Sequence, residues 1–181
     1  MKKAALVVLT DGFEEIEAVT PIDLLRRAET EVTVASATES LEVTGKIGVV
    51  LRAETLLDAC LDREYDLLVL PGGPGVFTLR QDARVLDLIR SRVEEGQLVA
   101  AICAAPLLLL DADILEGKEH TAHGTVADEL PDMQEDVAVV EDFPLITSRG
   151  PGTAFAFGLA LVRLMHGEKV ASQIAAETHG D

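Results

Sequence analysis

Cysteine, aromatic residues and long apolar runs are scarce in this sequence. Two cysteines, one tyrosine and no tryptophan occur among 181 residues. Two cysteines cannot build the disulfide framework of a small secreted domain, and they fit a reducing cytoplasm. No apolar run approaches the roughly 20 residues that a membrane helix needs, and the N-terminus lacks the pattern of a signal peptide. We therefore expect a cytoplasmic protein that has no membrane partner.

Basic residues are also in short supply. Fifteen lysines and arginines face 32 acidic residues, which gives a formal net charge of −17. Such a surface repels a phosphate backbone, so nucleic acid is not an expected partner. The excess of acids, with only five lysines, also suggests a high-salt cytoplasm, where screening relieves the self-repulsion of the chain.

The chain does contain many aliphatic residues, and 48% of its residues are hydrophobic. Short apolar runs alternate with helical patterns, and nearly continuous apolar strands are typical of a parallel sheet covered on both faces. The sequence predicts one α/β domain over residues 1–181. The predicted strands are 4–9, 31–36, 66–70, 99–102, 137–140 and 145–148, with a hairpin over 41–51. The predicted helices are 13–28 (kinked or restarted at Thr20-Pro21), 56–61, 84–95, 104–110, 153–165 and 169–176.

Cys103 lies where a predicted strand gives way to a predicted helix. Pro106 fits the first turn of that helix, where its missing N–H group is not needed. The N–H groups of a helix start favour a thiolate and can bring a thiol pKa to about 3.5–7.5. The alternative is a buried cysteine that acts as a small hydrophobic residue, and we expect this of Cys60.

Two other loops follow predicted strands, and ligands of parallel sheets bind at the carboxyl ends of strands. One loop contains Glu14, Glu15 and Glu17. A carboxyl group beside a thiolate has a raised pKa and can move a proton, although acids also simply complement a helix start. Glu17 is favoured because it shares a helix face with apolar residues.

The other loop contains Gly72 and Gly73. Glycine allows close backbone approach, so one of these N–H groups could join the N–H group of Ala104 in an oxyanion site. The alternative is an ordinary tight turn.

His120 and His123 lie in a polar segment after Cys103. No further ligand is nearby in the sequence, so we expect no metal site. A Cys–His pair for nucleophilic catalysis fits His123 better.

Four motifs in this order resemble the ThiJ/PfpI superfamily, in the branch of the parkinsonism-associated deglycase and its bacterial relatives. They are Glu14-Glu15-Ile16-Glu17 with Pro21 and Asp23, Leu70-Pro71-Gly72-Gly73, Ala101-Ile102-Cys103-Ala104-Ala105-Pro106, and Thr147-Ser148-Arg149-Gly150-Pro151-Gly152-Thr153.

The resemblance implies a flavodoxin-like three-layer sandwich, with a mostly parallel sheet and helices on both faces, and a homodimer without a cofactor. It implies that Cys103 is the nucleophile, Glu17 the protonated acid and His123 an accessory residue. Backbone N–H groups of Gly73 and Ala104 would form the oxyanion site, with Gly72 beside them. The loop that contains Arg149 and Pro151 would lie near the pocket, at the dimer interface.

The resemblance also implies an activity. The expected enzyme is a glyoxalase or deglycase that acts on glyoxal, methylglyoxal or their early adducts. The alternative is an oxidative-stress sensor or chaperone-like protein whose cysteine oxidises to a sulfinate. A cysteine protease is disfavoured, because Ala104 stands where the protease-like branch has histidine. An amidase of the glutamine amidotransferase type is disfavoured, because His123-Gly124-Thr125 is not a His-x-Glu pair.

Arg26 and Arg27 are rare positive charges near the end of the first predicted helix. Pairing with acids of a second copy would offset the repulsion between two acidic chains. The alternative is that they are solvated cations at a helix end. We expect a dimer formed around this helix, with Arg27 near the border of each pocket.

Overall fold

The computed structural model describes residues 2–180 and contains a seven-stranded sheet in the order β5-β2-β1-β6-β7-β9-β8. The strands of this sheet are parallel except for the edge strand β8, which runs antiparallel to β9. A separate hairpin pairs β3 with β4. The strands are β1 (Ala4–Leu9), β2 (Glu31–Ser36), β3 (Glu42–Thr44), β4 (Val50–Arg52), β5 (Thr55–Leu56), β6 (Leu67–Leu70), β7 (Leu98–Ile102), β8 (Val139–Asp142) and β9 (Leu145–Ser148).

Helices cover both faces of the sheet. They are α1 (Glu15–Arg27), α2 (Val76–Leu79), α3 (Ala83–Glu94), α4 (Pro106–Asp111), α5 (Ala154–His166) and α6 (Glu168–Thr178). None of the helices within residues 2–180 is long and apolar enough to cross a membrane.

The central strands are apolar along their length because each strand contributes side chains to two hydrophobic cores, one on each face of the sheet. Leu6 of β1 belongs to the core beneath α3 and α4. Its neighbour Val7 belongs to the core beneath α1, α5 and α6. Successive side chains of a strand point to opposite faces, so a strand that is buried on both faces does not alternate between apolar and polar residues. The predicted flavodoxin-like α/β sandwich is confirmed.

Several predicted elements differ in the structure. The helix predicted over 56–61 is wrong, because residues 55–56 pair with β2 and only residues 57–59 form a 3-10 turn. The first helix is not restarted at Pro21 but continues through it. At Pro21 the helix packs closely against α5, because Gly158 has no side chain and leaves room for Leu24 and Pro21. The helix predicted from 104 begins at Pro106, and α2 was not predicted.

Candidate active site

Three loops meet at the carboxyl ends of the adjacent strands β1, β6 and β7. The N–H group of Glu14 donates to the carbonyl of Gly72 at 2.9 Å, and the N–H group of Gly75 donates to that of Gly12 at 3.1 Å. These bonds join the loop after β1 to the loop after β6, beside the turn that contains Cys103. The arrangement places the candidate residues from distant parts of the sequence at one edge of the sheet, where open parallel sheets bind ligands.

Cys103 adopts a left-handed backbone conformation, with φ of +67°. Such a φ is uncommon for a residue with a side chain and is maintained only when the surroundings enforce it. The N–H group of Cys103 donates to the carbonyl of Ser148, and its carbonyl accepts from the N–H group of His123, both at 2.9 Å. These two bonds fix the turn, and the cysteine is left partly exposed.

Glu17 lies against the thiol of Cys103 and is fully buried. Its Oε2 accepts a hydrogen bond from the N–H group of Gly72 at 2.9 Å. Its Oε1 has no hydrogen-bond partner within residues 2–180. Burial raises the pKa of the Glu17 carboxyl from 4.5 to about 7, and the charge of Glu14 adds to this rise. The pKa shift runs in the direction expected of a carboxyl group that holds a proton beside a thiol.

The thiol of Cys103 does not show the low pKa expected from its place at a helix start. Burial, followed by the negative charge of Glu17, raises the pKa of the thiol to about 12. Backbone N–H groups of Ala104 and Gly73 act in the opposite direction. The expectation of a low thiol pKa is therefore wrong. Because the Glu17 charge is the second cause of the rise, protonation of Glu17 lowers the pKa of the thiol, while burial still raises it, and the two groups titrate as a pair.

The other two acidic candidates have structural tasks. A carboxylate oxygen of Glu14 accepts from the N–H group of Glu17 and caps α1 at 2.9 Å. Oε1 of Glu15 accepts from the N–H group of Ile47 at 2.9 Å, which ties the β3–β4 hairpin to α1. Glu17 is therefore the acid that lies beside the cysteine.

Gly72 and Gly73 are required by their surroundings and are not merely residues of a tight turn. A Cβ atom on Gly72 would lie 2.6 Å from both Cys103 Cβ and Glu17 Oε2. Gly73 has φ of +97°, and a Cβ atom there would lie 2.4 Å from the carbonyl oxygen of Gly12. Side chains at these positions would separate Glu17, Cys103 and the backbone donors.

His123 lies at the mouth of the site, and His120 does not. The ring of His123 is held by Thr125, whose Oγ1 lies 2.9 Å from Nδ1. The opposite ring edge faces Gly150, where a Cβ atom would lie 3.1 Å from Cδ2 of His123 and 4.0 Å from Sγ of Cys103. His120 is buried elsewhere, with its Nδ1 3.0 Å from the carbonyl oxygen of Lys118. No group of three potential metal ligands occurs in the part of the chain that the structure describes.

Arg149 and Pro151 border a cleft of about 240 Å³ together with His123 and Gly150. Arg149 is about half exposed and lies 4.0 Å from a carboxylate oxygen of the fully exposed Asp136. The loop therefore lies beside the cysteine pocket, on its solvent side.

Arg26 and Arg27 are both paired within their own chain, and their pairing with acids of a second copy stays a prediction. Arg27 binds Asp23 one turn earlier in α1 at 2.7 Å, and Arg26 binds Glu54 at 3.0 Å. Arg27 borders a different cleft, between α1 and the start of α5. Glu54 follows β4 and lies 28 residues after Arg26, so no local sequence pattern indicates this ion pair.

Sequence reasoning also missed Thr125 and Gly150 as parts of the site. Gly150 was present in a quoted motif, but nothing in the sequence indicates that its missing side chain opens the space between His123 and Cys103. Thr125 is two residues from His123, so this local spacing was the available signal.

Residues 2–164 match the DJ-1/PfpI family. The chain belongs to the DJ-1/PfpI family. It is 38% identical over 176 residues to DJ-1 homolog A of Arabidopsis thaliana, covering 96% of this chain and 45% of the plant protein. It is 37% identical to dj-1beta of Drosophila melanogaster, covering 97% and 96% of the two chains. The chain spans less than half of the length of the two plant relatives.

A relative named as a deglycase, from Thermococcus kodakarensis, is 31% identical over 163 residues, covering 88% of this chain and 98% of that protein. Among solved structures, Drosophila DJ-1beta is similar with a TM-score of 0.95, at 37% identity and 98% coverage of both chains. A structure described as oxidized Toxoplasma gondii DJ-1 has a TM-score of 0.93, at 34% identity and 97% coverage of both chains. These DJ-1 proteins share the fold that positions Cys103 and Glu17 here.

Proposed function

We propose that this DJ-1/PfpI protein is a cofactor-independent enzyme that acts on small 2-oxoaldehydes, such as methylglyoxal and glyoxal, or on their early adducts. The proposal rests mainly on one observation, that the buried Glu17 carboxyl lies against the Cys103 thiol. The backbone N–H groups of Gly73 and Ala104 are directed at the same sulfur. The pair supplies a nucleophile and a proton carrier in one pocket. The relative named as a deglycase supports the same class of reaction.

The proposed reaction starts from the pair with its proton on Glu17. The thiolate adds to the aldehyde carbon of methylglyoxal, which forms a C–S bond and a hemithioacetal oxyanion. The N–H groups of Gly73 and Ala104 stabilise this oxyanion, and Glu17 then protonates it and becomes a carboxylate. The Glu17 carboxylate removes the proton from the former aldehyde carbon and returns it to the neighbouring ketone carbon, while the hydroxyl proton of the first carbon passes to the oxygen of the second.

This transfer oxidises the first carbon and reduces the second, so no external oxidant is needed. The product is a thioester of lactate on Cys103. Water cleaves the C–S bond, which releases lactate and restores the thiol. The net reaction is methylglyoxal plus water to lactate, and glyoxal gives glycolate in the same way.

Lactate formation by matched variants tests this proposal. We expect Cys103→Ala to abolish lactate formation and Glu17→Gln to remove most of it, because each lacks one half of the pair. Cys60→Ala is the matched control, since Cys60 is a buried cysteine in the core. Substantial methylglyoxal turnover by Cys103→Ala would refute the mechanism.

A second function, sensing of oxidants, is favoured by the same surroundings of the sulfur. Two backbone N–H groups and a protonated Glu17 can all donate hydrogen bonds to sulfinate oxygens. Two peroxide molecules would each transfer one oxygen to the thiolate and leave as water. We expect mass spectrometry after mild peroxide to find two added oxygens on Cys103 and none on Cys60. Equal oxidation of both cysteines would contradict this role.

We also propose that two copies of the chain associate through α1 and the β3–β4 hairpin. Apolar side chains on these two elements are 45–75% exposed: Ile16, Val19, Ile47, Val49 and Val50. The bond between Glu15 and Ile47 joins the two elements, so these side chains form one surface. Adjacent exposed apolar residues mark association surfaces.

Sedimentation at low and high salt tests the association, with Ile47→Glu as the variant and Phe77→Glu as the control. Phe77 is 54% exposed on α2, outside this surface. We expect a dimer that Ile47→Glu dissociates and Phe77→Glu does not. A monomer of 19.3 kDa for the unmodified chain under both conditions would contradict the dimer.

A further inference from the structure

The role open to His123 depends on which ring nitrogen carries its proton. A neutral imidazole has one N–H donor and one nitrogen acceptor, and the partner of one nitrogen decides the state of the other. A histidine that serves as base for Cys103 needs a free lone pair toward the thiol. A histidine that holds a substrate oxygen needs an N–H group there.

Thr125 makes two contacts with the same nitrogen of His123. Its backbone N–H group points at Nδ1, with N···N of 3.3 Å, and its Oγ1 lies 2.9 Å from Nδ1. An amide N–H can only donate, so Nδ1 must present its lone pair. A proton on Nδ1 would face the amide proton of Thr125. The neutral ring therefore carries its proton on Nε2.

The protonated side of the ring faces the cleft. Nδ1 and Cδ2 lie on opposite sides of the imidazole, and Cδ2 is the edge next to Gly150. The Nε2–H group is adjacent to Cδ2 and belongs to the cleft that His123 shares with Gly150 and Pro151. The backbone N–H group of His123 donates to the carbonyl of Cys103 at 2.9 Å, and this bond holds the Cδ2–Nε2 edge of the ring near the thiol.

We propose that Thr125 is a positioning residue that holds His123 as the Nε2–H tautomer, so that His123 donates a hydrogen bond to a substrate oxygen and does not act as the base for Cys103. This inference rests on the proposed function and gives a physical reason for its substrate class. The favoured substrates carry an oxygen on the carbon next to the one that Cys103 attacks, as 2-oxoaldehydes do. Glu17 is then the proton carrier of the site, and His123 is a fixed donor.

Three substitutions separate the two contacts. Thr125→Val removes the hydroxyl and keeps the backbone donor, Thr125→Pro removes both donors, and Thr125→Ser keeps both. Proline is compatible with this place, because Thr125 lies in the first turn of a 3-10 helix and its N–H group bonds only to His123 among residues 2–180. Thermal unfolding of each variant verifies that the fold is retained.

The tautomer is read from ¹⁵N and ¹³C NMR of the His123 ring, assigned by comparison with His123→Gln. We expect the Nε2–H form in the unmodified chain and in Thr125→Ser, a smaller excess of it in Thr125→Val, and a tautomer mixture in Thr125→Pro. With methylglyoxal, Thr125→Ser keeps kcat/KM. Loss of one oriented hydrogen bond in Thr125→Pro lowers kcat/KM roughly five- to tenfold.

An Nδ1–H ring in the unmodified chain would overturn the inference whatever the activity. So would full kcat/KM in a Thr125→Pro variant whose tautomer has changed. If the unmodified chain does not turn over methylglyoxal, the proposed function fails. The NMR comparison of the unmodified chain with Thr125→Pro then decides the inference about Thr125 by itself.

Discussion

Replacing Glu17 by glutamine should stabilise the folded protein at neutral and alkaline pH while it removes activity. Glu17 is fully buried, and its Oε1 has no hydrogen-bond partner within residues 2–180. Glutamine has nearly the same shape and can still accept from the N–H group of Gly72 through its amide oxygen. The variant therefore removes a buried charge without opening a cavity.

The magnitude follows from the pKa of Glu17, which rises from 4.5 to about 7 on folding. A raised pKa means that the fold prefers the protonated acid, so the contribution of Glu17 to stability is fully present below pH 4.5 and is lost as the pH rises through 7. At about 1.4 kcal/mol for each pH unit, the loss amounts to about 3 kcal/mol. Glutamine does not titrate, so Glu17→Gln avoids this loss.

Urea unfolding at about pH 4 and about pH 8 measures the effect. We expect the free energies of unfolding of the two proteins to move apart by about 3 kcal/mol between these pH values, in favour of Glu17→Gln. Glu31→Gln, the same exchange at an exposed position of β2, is the control for general pH effects. A difference that does not grow with pH, or one that favours the unmodified protein at pH 8, would refute the burial argument.

Three further outcomes follow from charge and from close packing. With a net charge of −17, the melting temperature should rise from dilute buffer to molar KCl because screening relieves self-repulsion, and an unchanged value would contradict this. Gly72→Ala should lower the free energy of unfolding by roughly 2 kcal/mol, because its Cβ would lie 2.8 Å from the carbonyl oxygen of Ile102. Gly124→Ala is the control without such a clash, since a Cβ there meets nothing within 4 Å. Gly150 is extended, with φ of 161°, so Gly150→Ala should fold. Its methyl group, 4.0 Å from the thiol, should lower kcat/KM more for methylglyoxal than for the smaller glyoxal, and a Gly152→Ala control should change neither.

Most of the fold could be predicted from the sequence because the central strands are buried on both faces. The run 4–9 needs no tertiary information to be recognised as a covered parallel strand, and β1 has those bounds. The segment 56–61 was predicted as a helix because its apolar spacing is ambiguous over so few residues. Pairing of Thr55–Leu56 with β2 decides its structure, and no local pattern contains that contact.

The central residues of the candidate site could be predicted from the sequence, and the electrostatics of the site could not. Cys103, Glu17 and Gly72 were identifiable as chemical groups at strand ends. The pKa of Cys103 depends on how deeply the thiol is buried and on the charge of Glu17 beside it, and both are three-dimensional quantities. The left-handed φ of Cys103 likewise follows from its bonds to Ser148 and His123, which a strand-to-helix pattern does not reveal.

The central claim, that Cys103 attacks the aldehyde and Glu17 moves the proton, is tested most directly by ¹³C NMR of Glu17→Gln mixed with methylglyoxal labelled at the aldehyde carbon. We expect a signal from a tetrahedral carbon bonded to sulfur, in proportion to the protein, with almost no lactate. The signal should be absent when Cys103→Ala is added to Glu17→Gln. Rapid lactate formation by Glu17→Gln, or the same signal without Cys103, would contradict the account.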